Sequence, residues 1–360
     1  MKNNVQCSPF TVQRSPFNVQ RSTFTVCVCG GGNLGHVVAG FLAAHGDCAV
    51  NLLTRHPERW QPQLEISTPD GEILKGRLQT VSSNPSLVVS PADIVLLCLP
   101  GFSIREELQQ IKPFLQAHTA VGSIVSSTGF FFEAFEALPS TTPLFGFQRV
   151  PFIARTAEYG RSADLLGYKP MLHVAIEQTT EKEGLRALIE RLFHTPTVLL
   201  QSHYEVSLTN SNPLLHPSRL YTLWRDWHEG VVYPVQGLFY EDWTDEASQL
   251  LITMDREFQQ LLRVLPVREG SIPTVLDYYE STDAPSLTRK LHSIQAFKGI
   301  RSPMKSVAGG FVPDFQSRYF MEDFPFGLRI IQQQALQHQV DTPVINEVLA
   351  WGLSKLLPSR

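Results

Sequence analysis

Three glycines, Gly30, Gly32 and Gly35, are spaced as G-x-G-x-x-G, a spacing suited to holding a dinucleotide pyrophosphate. Gly30 permits a tight turn, Gly32 lets backbone approach the phosphates, and Gly35 lets the next helix pack close to its strand. Asn33, Leu34 and Gly35 open that helix, so their N–H groups are candidates to face the phosphates at the positive end of its dipole. Two later segments hold polar residues in unusual company: Leu208 to Pro217 (LTNSNPLLHP) and Asp314 to Gly327 (DFQSRYFMEDFPFG). A histidine that titrates near neutrality can be an acid/base group or a satisfied structural side chain, and His216 alone is open to both readings. The second segment alone reads equally as a solvated charged loop.

The elements around these residues alternate as a parallel sheet requires. Phe24 to Cys29 is a short apolar run bounded by glycine, which predicts a buried strand. Leu34, Val37, Val38 and Phe41 follow at helical spacing. Cys48 to Leu53 predicts a second strand, and Leu64 to Gln79 a hairpin about Pro69-Asp70-Gly71. Asp93 to Leu99 predicts an apolar strand whose tip is Pro100, a further candidate to meet the cofactor. Ser103 and Glu106 have the spacing of a capping box for a helix reaching Leu115. Ala120 to Val125 predicts a strand, with a turn at Ser127-Thr128-Gly129. Thr180 and Glu183 suggest a second capping box, ahead of Leu185, Leu188, Ile189 and Leu192 on one helical face. Val198 to Leu200 is the last strand signal, and helical windows over 246–264, 328–339 and 344–357 follow.

The expected fold is therefore an α/β Rossmann-type domain over 24–203, then a mostly α-helical substrate and catalytic domain over 204–360, with the site in the cleft between them. Residues 5–26 carry an imperfect repeat of S-P-F-x-V-Q-R, too short for a solenoid and too rich in proline for a helix; residues 1–23 read as a flexible tail.

Composition narrows the class. A chain of 360 residues is long enough for two cores. A net charge of −4 offers no basic field for nucleic acid, and no apolar run reaches membrane-spanning length. The five cysteines form no C-x-x-C pair and suggest no metal site; with no signal-peptide pattern, a reducing cytoplasm fits best. Cys27 and Cys29 should share one strand face as small core side chains.

The cofactor choice turns on the tip of the second strand, Leu52-Leu53-Thr54-Arg55-His56, where no carboxylate stands to hold the ribose hydroxyls of NAD. Thr54 and Arg55 suit a 2′-phosphate, which favours NADP slightly over NAD. Arg55 stacked on adenine would leave NAD in place.

Together, the N-x-N-P-x-x-H-P and R-Y-F-x-E-D-x-P-F-G segments, in that order behind the glycine turn, resemble the opine dehydrogenase family, the octopine and nopaline dehydrogenases. Pro151 to Arg155 resembles the family's P-x-x-x-R segment, and the likeness spans 24–357. It implies a nucleotide-binding domain joined to a helical one, and reductive condensation of an α-keto acid with the amino group of an amino acid or related amine. By position, it implies that His216 is the acid/base group, that Asp323 orients it, and that Arg318 contacts the cofactor pyrophosphate. The substrate carboxylates need cations; Arg155 and Arg219 are candidates, each equally readable as a surface ion pair, and Asn210 is a further candidate contact. A homodimer is left open. Two alternatives keep the nucleotide domain. Glycerol-3-phosphate dehydrogenases and ketopantoate reductases usually work through a lysine, for which Lys298 and Lys305 are the candidates here. A non-catalytic NADP sensor would need neither His216 nor Asp323.

Overall fold

The structure, a computed structural model, describes Phe17 and residues 23–356. Phe24–Cys29 forms β1, and the glycine turn leads into α1 (Asn33–His45) and β2 (Cys48–Leu53). The chain continues through β3 (Gln63–Ser67), β4 (Ile73–Arg77), β5 (Thr80–Ser82), α2 (Pro85–Val88), β6 (Ile94–Leu97), α3 (Gly101–Ile111), β7 (Ala120–Ser123) and α4 (Phe130–Ala137). Next come β8 (Leu144–Phe147), β9 (Phe152–Glu158), β10 (Ser162–Tyr168), β11 (Leu172–Glu177), α5 (Lys182–Phe193) and β12 (Thr197–Leu199). Eight of these strands form one sheet in the order β12-β11-β8-β7-β6-β1-β2-β5. It is parallel from β8 to β5, while β11 runs antiparallel to β8 and carries β12 with it. The expected Rossmann-type sheet is there.

A second sheet, β4-β3-β10-β9, was not foreseen beyond its β3–β4 hairpin. It makes α1 a helix buried on two faces: residues 35 to 42 are all buried, and small side chains let the sheet come close. A Cβ added to Gly40 would lie 2.5 Å from Ile66. Cys27 and Cys29 share one buried core cluster, as small core side chains should. Phe17 is buried at 2 % in the core that also holds side chains of β1 and α1, which departs from a flexible tail at that residue. The rest of the tail up to residue 22 lies outside the described residues.

Both predicted capping boxes are corrected. α3 starts two residues before Ser103, with Pro100 at its N-cap, so Ser103 lies inside the first turn and caps nothing. α5 has Glu181 at its N-cap with no side-chain cap, because the helix begins one residue later than the Thr180 pattern demands; its buried face of Leu185, Leu188, Ile189 and Leu192 is as expected.

After β12 the chain is mostly helical: α6 (His203–Ser207), α7 (Asn212–Trp224), α8 (Asp245–Leu262), α9 (Val275–Tyr278), α10 (Ala284–Ser293), α11 (Arg329–Gln337) and α12 (Pro343–Leu356). The described strands there are one hairpin, β13 (Met304–Val307) with β14 (Gly310–Pro313). These helices share their own core, built on side chains such as Leu220, Leu251, Leu287 and Val348. Tyr319–Leu328, read above as a charged loop, is instead a π-helical segment that runs into α11. Phe320 and Phe324 on it are fully buried, which a solvated loop would not allow. Among the described residues no helix is long and apolar enough to cross a membrane, and no cluster of three or more His, Cys, Asp or Glu could hold a metal ion.

Candidate active site

The glycine turn opens on a cavity of about 470 Å3 that also meets Thr54 and Arg55 at the tip of β2 and Pro100 beyond β6. Gly30 has φ +115°, a conformation that favours glycine, and a Cβ there would lie 2.7 Å from the Cys98 carbonyl. At Gly32 an added Cβ would meet nothing within 4 Å. The turn is therefore packed shut behind and open in front, the shape a pyrophosphate fills. No side chain caps α1, so the first-turn N–H groups of Asn33, Leu34 and Gly35 lack a side-chain acceptor. A dinucleotide fits this cradle. Asn33 turns its side chain away, accepting the Thr156 N–H of β9 at 2.9 Å.

Two residues that sequence reasoning missed shape this cavity. Tyr159, in the turn between β9 and β10, brings its hydroxyl to 2.7 Å of where a Gly31 Cβ would stand. Glu107 on α3 lines the wall; burial raises its carboxyl, and the Arg55 guanidinium nearby works against that. Neither has a sequence signature, since each reaches the turn through the fold.

His36 clamps the turn from behind. Its Nδ1–H donates to the Gly32 carbonyl at 2.9 Å, and its Nε2 accepts the Gly160 N–H at 2.7 Å. The ring is fully buried against Trp60 and must stay neutral to keep both bonds, and burial lowers its pKa. A depressed histidine pKa stabilises the fold above the unfolded value of about 6.5 and withdraws that support as pH falls below it. We expect the melting temperature to drop from pH 7.5 to 5, and the drop to shrink in His36→Phe. Equal slopes in the two proteins would remove His36 from that dependence.

The second site lies where α7 meets the π-helical segment. His216 and Asp323 are 107 residues apart in sequence, yet Nδ1 and Oδ2 stand 2.7 Å apart. Ionised, the carboxylate only accepts, so Nδ1 carries the proton and Nε2 is the basic nitrogen. Nε2 in turn lies 2.8 Å from the Tyr240 hydroxyl, a third partner that the sequence did not reveal. His216 is 8 % exposed and Tyr240 4 %, and the Tyr319 ring stands edge-on to the imidazole at 4.6 Å. Burial pushes the Tyr240 hydroxyl well above its ordinary pKa, and Tyr319, Tyr279 and Asp323 add to the shift.

Close packing fixes this arrangement. A Cβ on Gly327 would come within 2.8 Å of Pro213 at the start of α7, so only a glycine lets the two motifs touch. Phe326 reaches the other domain, where a Cβ on Gly101 at the start of α3 would meet its ring at 2.8 Å. The segment that holds Asp323 is thus seated beside the tip of β6, at the carboxyl end of the main sheet.

The remaining predicted residues divide. Arg219 is corrected: it is 3 % exposed, and its Nε and Nη2 donate to the carbonyls of Phe239 at 3.2 Å and Asp242 at 2.5 Å. Burial pushes it down to about 10, against the pull of Asp242. It is a buried clamp on the Tyr240 loop, not a free cation for a carboxylate. Asn210 is likewise engaged in a turn, its Oδ1 accepting the Asn212 N–H at 3.2 Å at the start of α7. Arg318 is exposed and ion-paired with Glu322 through Nε and Nη2 at 3.1 and 3.0 Å; that partner raises its pKa. Arg155 is exposed on β9, paired with β10 through its main chain, and its side chain makes no hydrogen bond or ion pair among the described residues.

Residues 199–356 match the family model described as NAD/NADP octopine/nopaline dehydrogenase, alpha-helical domain, and residues 26–146 match that of ketopantoate reductase PanE/ApbA. The chain is 29% identical to the opine dehydrogenase of Haliotis discus hannai, over 92% of this chain and 90% of that one. It is 27% identical to the octopine dehydrogenase of Pecten maximus, with the same coverage. A solved octopine dehydrogenase with NADH and L-arginine superposes with a TM-score of 0.80 at 25% identity, over 92% of this chain and 89% of that one.

Proposed function

We propose, from the premise that this chain belongs to the octopine/nopaline dehydrogenase family, that it is an NAD(P)H-dependent opine dehydrogenase. It condenses an α-keto acid with the amino group of an amino acid or related amine and reduces the product. The observation that carries this reading is the His216–Asp323 pair at 2.7 Å, with Asp323 on the segment that seats against α3 beside the nucleotide cavity.

The chemistry carries two protons from nitrogen to oxygen: one leaves the ammonium before attack, and a second leaves the nitrogen of the new C–N adduct for the former keto oxygen. The incoming amine arrives as an ammonium and must lose a proton before it attacks the keto carbon. The resulting carbinolamine must gain one before its hydroxyl leaves as water. The sum, ammonium plus ketone to iminium plus water, is proton-neutral. A single base can therefore take a proton from nitrogen and hand one to oxygen, ending the condensation as it began. Nε2 of His216 is that base, and Asp323 fixes the tautomer and steadies the imidazolium. When bound, the reduced nicotinamide supplies a hydride to the iminium carbon. Gly30, Gly32 and the N-terminus of α1 hold its pyrophosphate, with Thr54, Arg55 and Pro100 around the rest. Arg318 would reach the pyrophosphate only by leaving Glu322. Arg155, the free cation on β9, is the proposed partner of a substrate carboxylate.

A grid of keto acids against amines, followed by loss of reduced-cofactor absorbance, tests the reading. Turnover should require both partners and yield a secondary-amine dicarboxylate when the amine is an amino acid. Oxidation of the cofactor at the same rate without amine would leave a simple carbonyl reductase. The ketopantoate reductase match favours that second reading, but it is confined to the nucleotide-binding half. Its lysine candidates are tied at the surface, Lys298 to Glu241 and Lys305 to Asp314.

NADPH is the proposed preference, resting on Arg55 at a β2 tip without a carboxylate. Arg55→Ala should weaken NADPH binding about tenfold, the loss of one charge-assisted contact, and leave NADH within about twofold. Fluorescence titration reads both; tighter binding of NADH by the unaltered protein would reverse the preference. The domain boundary is proposed near residue 203, and a cytoplasmic location rests on the free, buried cysteines among the described residues.

A further inference from the structure

We infer that the Tyr240 hydroxyl, rather than the imidazole itself, meets the reacting atoms, relaying the proton between substrate and His216. The inference rests on the condensation reading above and deepens it. Nδ1 of His216 is committed to Asp323, so every proton that enters or leaves the ring by its other nitrogen does so at Nε2. That nitrogen is already occupied by the Tyr240 hydroxyl at 2.8 Å. For a substrate to reach Nε2 directly, one of the two rings must swing away, and both are pinned. The imidazole is held by Asp323 and flanked by the rings of Tyr319 at 4.6 Å and Phe239 at 5.7 Å. The Tyr240 ring stacks on Phe297 at 3.9 Å and on Trp243 at 6.0 Å. Its main chain is fastened on both sides, because Arg219 binds the carbonyls of Phe239 and Asp242. A buried guanidinium whose hydrogen bonds go to main-chain carbonyls, beside the Asp242 charge and over the Trp243 ring at 5.8 Å, makes sense if the loop position matters.

A hydroxyl can give and take in one motion. In the first half-step the ammonium N–H bond breaks, its proton goes to the Tyr240 oxygen, and the Tyr240 proton goes to Nε2; the freed amine then forms the C–N bond as the C=O π pair moves to oxygen, and the nitrogen of that adduct passes a second proton to the oxygen, giving the carbinolamine. In the second, Tyr240 gives its proton to the carbinolamine hydroxyl, the C–O bond breaks, and water leaves. Nε2–H then restores the tyrosine proton. Neither Tyr240 nor His216 is changed over the cycle, and no redox step falls on them.

Tyr240→Phe tests this, since it keeps the stacked ring and removes only the oxygen. With the pair of substrates that the unaltered enzyme uses best, kcat should fall about 100-fold or more. The Kd for reduced cofactor and the melting temperature should stay near those of the unaltered protein. The solvent deuterium effect on kcat should grow, and the effect of a deuterated reduced cofactor should shrink towards unity, because proton transfer becomes limiting. A kcat within about threefold of the unaltered enzyme overturns the relay, as does a fall that leaves both isotope effects unchanged, which would mark Tyr240 as a support for the ring. If the unaltered enzyme turns over no keto acid with any amine, the condensation reading fails first and the relay falls with it.

Discussion

Replacing His216 with alanine should lower kcat by about 100-fold or more while the Kd for reduced cofactor stays within about twofold. The asymmetry follows from the layout. His216 sits on α7 in the helical domain, whereas the glycine turn and the cavity it opens belong to the sheet. Loss of the imidazole strands the ammonium proton, so the step that forms the iminium slows while cofactor binding does not. Asp323→Asn is a sharper test of the pair. The amide is nearly isosteric but can donate to Nδ1, which moves the ring proton to Nε2 and abolishes the base. It should therefore cost about as much as deleting the ring, and the double variant should be little worse than either single one. Additive losses would mean that the two residues work separately, despite standing 2.7 Å apart. Small imidazole added to His216→Ala should restore part of the rate.

How far the sequence foretold this site depends on range. β1, β2, β6 and β7 were legible because each is a nearly wholly buried, mostly apolar run, and α5, α8, α11 and α12 because one face is apolar. β9 and β10 were not. β9 is mostly exposed, β10 is mostly half-buried or buried, and the pairing slips between Ser162 and Ala163 and between Leu165 and Gly167, so no apolar run marks them in the sequence. β8 and β11 were not read as strands either, though both are largely buried, and the reversal of β11 could not have been, since an apolar run has no direction. The capping boxes failed because S-x-x-E is short: at Ser103 the neighbouring Pro100 had already set the helix start. Around the dyad, His216 and Asp323 were found through two motifs whose contact depends on Gly327 seating against Pro213. Tyr240 belongs to neither motif. It reaches Nε2 because Arg219, one turn beyond His216, grips its loop by main-chain oxygens, and a carbonyl is the same in every residue. The same fact explains why Arg219 looked like a substrate cation when the sequence alone was in view.

Gly35→Ala should do most damage to the nucleotide half. The added methyl would lie 1.9 Å from the Gly30 carbonyl oxygen and 2.9 Å from its carbon. Backbone is on the other side of that contact, so a rotamer change cannot relieve it. Nor can Gly30 retreat: its N–H is held by the Leu53 carbonyl at 3.0 Å, and its own Cα faces the Cys98 carbonyl. α1 must move away from β1, and α1 is packed on its other face against β3 and β4. Overpacking of this kind costs about 1–3 kcal/mol, which in a domain of this size lowers the melting temperature by roughly 2–12 °C. Cofactor affinity should fall by about 100-fold or more, because the N–H groups that face the phosphates move with the helix. Gly32→Ala separates the two effects. Its methyl meets no protein atom within 4 Å, so the melting temperature should stay within about 1 °C. It does project into the space assigned to the pyrophosphate, so binding of NADH and NADPH should weaken together by about tenfold or more. If Gly32→Ala binds both cofactors like the unaltered protein, the phosphates lie elsewhere and the glycine turn is only a tight connection between β1 and α1.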